Sequence, residues 1–180
     1  DALRMLRALR FAARLSFRID GETAAAIHAA RTRLRAVAPE RLHKELSGIL
    51  CGRQAAALLE EFSDVLFELI PELAPCQGFR QYNPHHTRDV WTHTLAVVDG
   101  VPPEEPLRLA ALLHDAGKPA TFFFDKNLVG HFYGHPAAGA MRGYGMPQAS
   151  FADESNVDDC AKAVGMDRNK VRRSFVKVNN

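Results

Sequence analysis

The apolar periodicity of residues 2–70 most limits how this chain can fold. In residues 2–17, Met5, Leu6, Leu9, Ala12 and Ala13 fall on one side at a helical period, while Arg4, Arg7, Arg10 and Arg14 fall on the other. A stripe of that kind must be buried against another element. Asp20 and Gly21 interrupt it, and Asp20 is placed to cap a second helix over residues 22–37. Pro39 with Glu40 opens a third. Proline needs no N–H in a first turn, and an acid there suits the helix dipole. That helix carries Leu42, Leu46, Ile49 and Leu50 and stops near Gly52. A fourth, over 54–70, carries Leu58, Leu59, Phe62, Val65, Leu66 and Leu69.

Pro71, Pro75, Gly78 and Pro84 punctuate the next stretch, which reads as a loop and a domain boundary. Helices are expected over 87–98 and 107–114, the second closed by Gly117 and Pro119. Residues 121–133 read as a hairpin, with Asp125-Lys126-Asn127 turning between two aromatic strands. The expected fold is therefore mainly α, with one small β element.

Composition narrows the function classes. With 180 residues, 47% apolar and 24% charged, wholesale disorder is excluded. No run approaches the ~18 apolar residues of a membrane span, so no membrane partner is expected. The start, Asp1-Ala2-Leu3-Arg4, lacks a signal-peptide layout, and the missing Met points to a piece of a longer chain. Cys51, Cys76 and Cys160 are odd in number and far apart, which fits reduced thiols in a cytoplasmic protein. The net charge of +2 is a cancellation: residues 1–53 carry +6, residues 54–142 carry −5 and the remainder +1. A basic front end suits a polyanionic partner. Six of the eight histidines lie within residues 85–135, so charge and histidine divide the chain at about the same place.

Within the His-rich part, His114-Asp115 closes an apolar helix and His93 lies on the helix before it. Imidazole nitrogen and carboxylate oxygen together suit a borderline divalent cation. Lys118 follows on the terminating turn, placed to meet a phosphate oxygen as a point charge. A metal beside a cation is a recurring layout for phosphate-ester chemistry. A second reading needs no metal: a hydrogen-bonded His–Asp pair at a helix C-terminus, where the dipole favours the imidazolium. His93 upstream, Gly-Lys-Pro after the doublet and His135 downstream weight the metal reading.

Three stretches carry a family resemblance. They are Tyr82-Asn-Pro-His-His-Thr-Arg-Asp-Val-Trp-Thr-His-Thr-Leu, Leu112-Leu-His-Asp-Ala-Gly-Lys-Pro and Gly130-His-Phe-Tyr-Gly-His-Pro. Together they resemble the HD domain of bacterial CCA-adding tRNA nucleotidyltransferases, a helical, metal-dependent phosphohydrolase fold. The resemblance implies His93, His114 and Asp115 as metal ligands and His135 as an extra one, with Lys118 beside them in a catalytic role. His85, His86 and His131 either line the cleft or only cap and hydrogen-bond.

The resemblance extends to the front. Asp1-Ala-Leu-Arg-Met-Leu-Arg-Ala-Leu-Arg resembles the Glu-Asp-x-x-Arg motif and following helix of the class II CCA-adding and poly(A) polymerase family. It implies that Asp1 and Arg4 read the incoming nucleotide base by hydrogen bonds, a task that matches the acceptor and donor chemistry of the two side chains. Arg7, Arg10 and Arg14 are either a solvated helix face or contacts to tRNA phosphates. Pro39-Glu-Arg-Leu-His-Lys-Glu-Leu resembles the neck-helix pattern Pro-Glu-Arg-x-x-x-Glu-Leu. The Gly-Gly-x-x-Arg-Asp and Asp-x-Asp segments of the family's catalytic head do not occur in this sequence.

Beyond about Gly139 the resemblance ends in a glycine-rich break. Ala161, Gly165 and Val171 have the spacing of a helix-turn-helix, a three-point pattern common by chance, and a plain helical pair is the favoured explanation. Asp158 and Asp159 are the nearby substitutes for the late HD-domain Asp. The expected organisation is a helical neck over 1–72, a truncated HD domain over 73–142 and an atypical, foreign-looking tail over 143–180. The expected function is the post-catalytic portion of a CCA-adding tRNA nucleotidyltransferase. The resemblance implies CTP and ATP as substrates, tRNA as partner, Mg²⁺ for nucleotidyl transfer and a divalent metal at the HD site. Two alternatives stay open: a stand-alone metal-dependent HD phosphohydrolase, and a helical nucleic-acid-binding module.

Overall fold

A computed structural model describes residues 1–82, 88–136 and 138. Helix α1 (Leu3–Leu15) buries Leu3, Leu6, Leu9, Ala12 and Ala13, the stripe expected from its periodicity, while Met5 is only half-buried. It ends at Ser16, whose φ of 57° is left-handed and whose N–H donates to Ala12 O. Asp20 caps α2 (Gly21–Ala30), its carboxylate accepting from the N–H groups of Glu22 at 3.0 Å and Thr23 at 3.4 Å. The chain then tightens into a 3₁₀ turn over Arg31–Ala36 rather than continuing as α-helix. Pro39 opens α3 (Pro39–Leu50) as expected, and this helix packs along α1.

The expected single helix over 54–70 is two, α4 (Ala55–Glu61) and α5 (Ser63–Leu69). The break falls at Phe62, whose backbone (φ −108°, ψ 35°) is not helical. Tertiary contacts compensate. The Phe62 ring is fully buried and stacks on His28 with 4.8 Å between centroids. The bend also lets Asp64 and Glu68 of α5 meet His28, Arg31 and Arg35 at 2.7–3.7 Å. The expected loop after Ile70 begins with a 3₁₀ helix, Pro71–Cys76, which buries Leu73 and Cys76. Pro71 pre-sets the helical φ at its first turn.

Helix α6 (Val90–Gly100) starts later than expected because Asp89 caps it, accepting from the Thr92 N–H at 2.8 Å and hydroxyl at 2.9 Å. It packs on α7 (Glu105–Leu113) and α4, and α7 also meets α3. Buried side chains on both sides of residue 72 form one contiguous cluster. Phe67 of α5 sets its ring edge-on to Trp91 of α6 at 5.3 Å. A short helix α8 (Lys118–Thr121) leads into the expected hairpin, β1 (Phe123–Phe124) with β2 (Gly130–His131), antiparallel in the register Phe123↔His131. Asp125 organises the turn by accepting from the N–H groups of Asn127 at 2.8 Å and Val129 at 2.9 Å. Among the described residues, no helix is long and apolar enough to cross a membrane.

Candidate functional site

Four segments converge on Asp115. His93 comes from the buried face of α6, and His114 and Asp115 from the turn that ends α7. Lys118 opens α8, and His135 follows the hairpin. The Nε2 atoms of His93 and His114 are 3.4 Å apart, and they lie 3.6 and 3.0 Å from Asp115 Oδ2. Lys118 Nζ is 2.8 Å from the same oxygen, and His135 Nε2 is 3.5 Å from Oδ1. Of the sequence-expected site residues, the fold thus gathers His93, His114, Asp115, His135 and Lys118 in one place.

Hydrogen bonds orient two of the rings. His114 Nδ1 lies 2.8 Å from Ala111 O, and His135 Nδ1 lies 2.8 Å from Phe132 O. A carbonyl can only accept, so each Nδ1 carries a proton, and each Nε2, on the Asp115 side, is the atom that can ligate a cation when the ring is neutral. This is the usual way a ligating imidazole is fixed in its tautomer.

The cluster fits a divalent cation. One donor atom from each of His93, His114 and Asp115 lies within 4.8 Å of the others. Asp115 Oδ2 is buried and accepts no hydrogen bond of proper geometry, despite the nearby cation. A buried carboxylate oxygen left in that state needs another partner. Mixed imidazole and carboxylate donors suit Zn²⁺, Mn²⁺, Co²⁺ or Fe²⁺ better than a purely oxygen-ligated ion. Burial, the largest influence on the Asp115 carboxyl, pushes its pKa up. Polar contact with His114 and the charges of His114 and Lys118 outweigh it and hold the group well below the usual carboxylate range. Asp115 is therefore an anion ready to ligate at neutral pH.

The remaining expected residues are placed elsewhere. His131 pairs with Asp125 Oδ2 at 3.1 Å and braces the hairpin turn. Residues 83–87, with His85 and His86, lie outside the described residues, as do the tail's helix-turn-helix pattern, Asp158 and Asp159. Asp1 accepts from the Leu3 N–H at 3.1 Å and meets Arg41 at 3.5 Å, while Arg4 and Arg14 are exposed. Asp1 O also accepts from Arg4 N–H, which puts the two residues on one turn. Arg7 and Arg10 are engaged. Their Nε atoms reach the buried Glu45 of α3 at 3.3 and 2.7 Å. Sequence reading gave Glu45 no role, although it is the second Glu of the Pro-Glu-Arg-x-x-x-Glu-Leu stretch. It missed Gln81 altogether. This buried amide accepts from Lys118 Nζ at 2.8 Å, and no motif around it signals that role.

Fold and site together define a mainly helical protein that carries a His/Asp cluster able to hold a divalent cation and an arginine-bearing helix at its front. Known proteins narrow this further. Residues 16–76 match the family described as the probable RNA and SrmB-binding site of polymerase A. The chain is 41% identical over 155 residues to a CC-adding tRNA nucleotidyltransferase of Thermus thermophilus, covering 78% of this chain and 35% of the relative. It is 36% identical over 153 residues to an A-adding tRNA nucleotidyltransferase of Deinococcus radiodurans, with the same coverage. A multifunctional CCA protein of Pseudomonas aeruginosa is 39% identical over 67% of this chain. The chain belongs to the CCA-adding tRNA nucleotidyltransferase and poly(A) polymerase family. It spans about a third of the length of the curated relatives it matches. Residues 128–176 also match a molybdopterin cofactor-binding domain, and that match takes in most of the segment set apart in sequence as foreign to the rest.

Proposed function

We propose that the chain is the neck and metal-bearing portion of a cytoplasmic enzyme that completes the tRNA 3′ end from CTP and ATP. The observation that carries this is the 41% identity to a CC-adding relative over 78% of the chain. In this reading, Asp1 and Arg4 face the incoming base, and Arg7, Arg10 and the exposed Arg14 meet tRNA phosphates. Mg²⁺ would serve the nucleotidyl-transfer head described for the family. The neck is residues 1–72 and the HD unit 73–142. Electrophoretic mobility shift with tRNA tests the neck. The chain should retard tRNA, and Arg7→Ala with Arg14→Ala should weaken binding about tenfold. Failure of the unaltered chain to bind tRNA overturns the reading.

A second activity, phosphoester hydrolysis, is favoured by Asp115 Oδ2 lying between two imidazole Nε2 atoms and an ammonium. A divalent cation there would polarise a phosphoryl oxygen and acidify a bound water. His93, His114 and Asp115 would hold it, with His135 as a further donor. Lys118 offers its positive charge to the phosphate oxygens that gain charge in the transition state. With Mg²⁺, Mn²⁺, Ni²⁺ or Co²⁺ supplied, the chain should release phosphate from a phosphomonoester or open a 2′,3′-cyclic nucleotide, and His114→Ala should abolish the activity. An unchanged rate in His114→Ala would rule out this site as its source.

A further inference from the structure

We propose that Gln81 is a positioning residue that fixes the Lys118 ammonium at the Asp115 edge of the cluster, and that the hairpin clamps Gln81 in turn; this rests on the phosphoester-hydrolysis reading. A lysine ammonium sits on a flexible stem and offers three donors. Here it is almost wholly buried, 7% exposed. It donates to Gln81 Oε1 at 2.8 Å, lies 2.8 Å from Asp115 Oδ2 as an ion pair, and sits 5.3 Å from the Phe132 ring centroid. With one N–H held by Gln81, the ammonium keeps donor capacity for a phosphate oxygen. Asp115 alone would hold the ammonium against a single carboxylate. Gln81 adds a fixed hydrogen-bond acceptor without adding negative charge, so Lys118 is located yet not neutralised a second time.

Gln81 is itself held at both ends. Its side chain is 2% exposed, and Nε2 donates to Arg88 O at 3.3 Å. Its backbone is pinned by the hairpin. Gly130 N–H donates to Tyr82 O at 2.8 Å, and a Cβ at Gly130 would collide with Gln81 O. The same hairpin supplies Phe132, whose carbonyl orients His135. The stretch from Gly130 to Phe132 therefore sets the Lys118 ammonium through Gln81 and the third imidazole, His135, through the Phe132 carbonyl. The Gln81 amide is spent on Lys118 Nζ and Arg88 O. It acts on the site only through Lys118.

The test uses the full chain with Mn²⁺, and p-nitrophenyl phosphate and 2′,3′-cyclic AMP as probes. Gln81→Met keeps the length of the side chain and removes the acceptor. It should lower kcat about tenfold or more, with KM and the calorimetric Mn²⁺ Kd within about twofold of the parent. Acetylation of Lys118, followed by mass spectrometry, should run about fivefold faster than in the parent. Gln81→Glu keeps an acceptor while adding charge, so Lys118 should stay protected even as kcat falls. A parental kcat in Gln81→Met overturns the proposal. So does a loss of kcat matched by an equal loss of Mn²⁺ affinity and of thermal stability, the mark of a merely structural residue. So does Lys118 as reactive in Gln81→Glu as in Gln81→Met. If the parent chain hydrolyses neither probe, the hydrolysis reading fails by itself, and the acetylation comparison alone decides the positioning role.

Discussion

Glu45 shows how one side chain can govern a helix that looks, in sequence, as if it were made for solvent. Its carboxylate is 6% exposed and is met by Arg10, 22% exposed, and Arg7, 49% exposed. A buried acid stripped of its charge leaves those guanidinium groups poorly matched. Glu45→Gln should cost about 2 kcal/mol in urea unfolding. Arg7→Ala, at the more exposed partner, should cost under about 1 kcal/mol. Asp115 makes the pH argument at the same scale. Its folded-state pKa is depressed, so it stabilises the fold above the ordinary carboxylate value of about 4 and that stabilisation is lost progressively as pH falls below it. The melting temperature of Asp115→Asn should therefore fall less between pH 5 and pH 3, taken as a range on the order of that pKa, than the parent's does. An equal slope in both proteins would show that other carboxylates carry the acid sensitivity.

At the scale of elements, local signals and tertiary contacts divide the work. Helix α1 was legible because its apolar residues repeat at one period, and the helix packs along α3 and α4. The caps at Asp20 and the proline start of α3 were legible because each acts within one turn. The break at Phe62 was not, because its compensation lies 34 positions earlier, in the His28 ring that Phe62 stacks upon. Gln81 was hidden for the same reason: its partner, Lys118, is 37 positions away. By contrast, His93, His114 and Asp115 stood out through residue type and family pattern, and the fold brings them together. The hairpin offers an element-scale prediction. Gly130→Ala places a methyl group against the Gln81 carbonyl, so the strand must shift. It should destabilise the chain by about 1–3 kcal/mol and increase the exchange of the Gly134–His135 amides, read by hydrogen–deuterium exchange.

At the scale of the molecule, residues 1–72 and the His-rich region share a core. Phe67 and Trp91 pack across residue 72, α4 lies on α6, and α3 on α7. A basic, arginine-rich front and an acidic, histidine-rich middle divide the chain in sequence by charge, which is read from the surface and says little about the interior. Residues 1–72 alone should lack a cooperative thermal transition and should bind a hydrophobic dye. In the whole chain, the fluorescence of Trp91, the only tryptophan, should change together with the helical circular dichroism signal. A cooperative melt of 1–72 by itself would show that the shared core is not needed to fold the neck.

The ion pairs of α1 also bear on how this surface would grip a polyanion. A nucleic acid docking on a helix sheds condensed counterions in proportion to the unspent positive charge it meets. Four arginines line α1, but Glu45 already offsets one unit of their charge before any ligand arrives. Removing that acid would do two opposite things at once. The helix would hold less firmly to α3, and it would offer a polyanion one more charge, steepening the fall of affinity with added salt by roughly one ion in the logarithmic slope. In this helix, firmness and electrostatic reach are drawn from the same arginines.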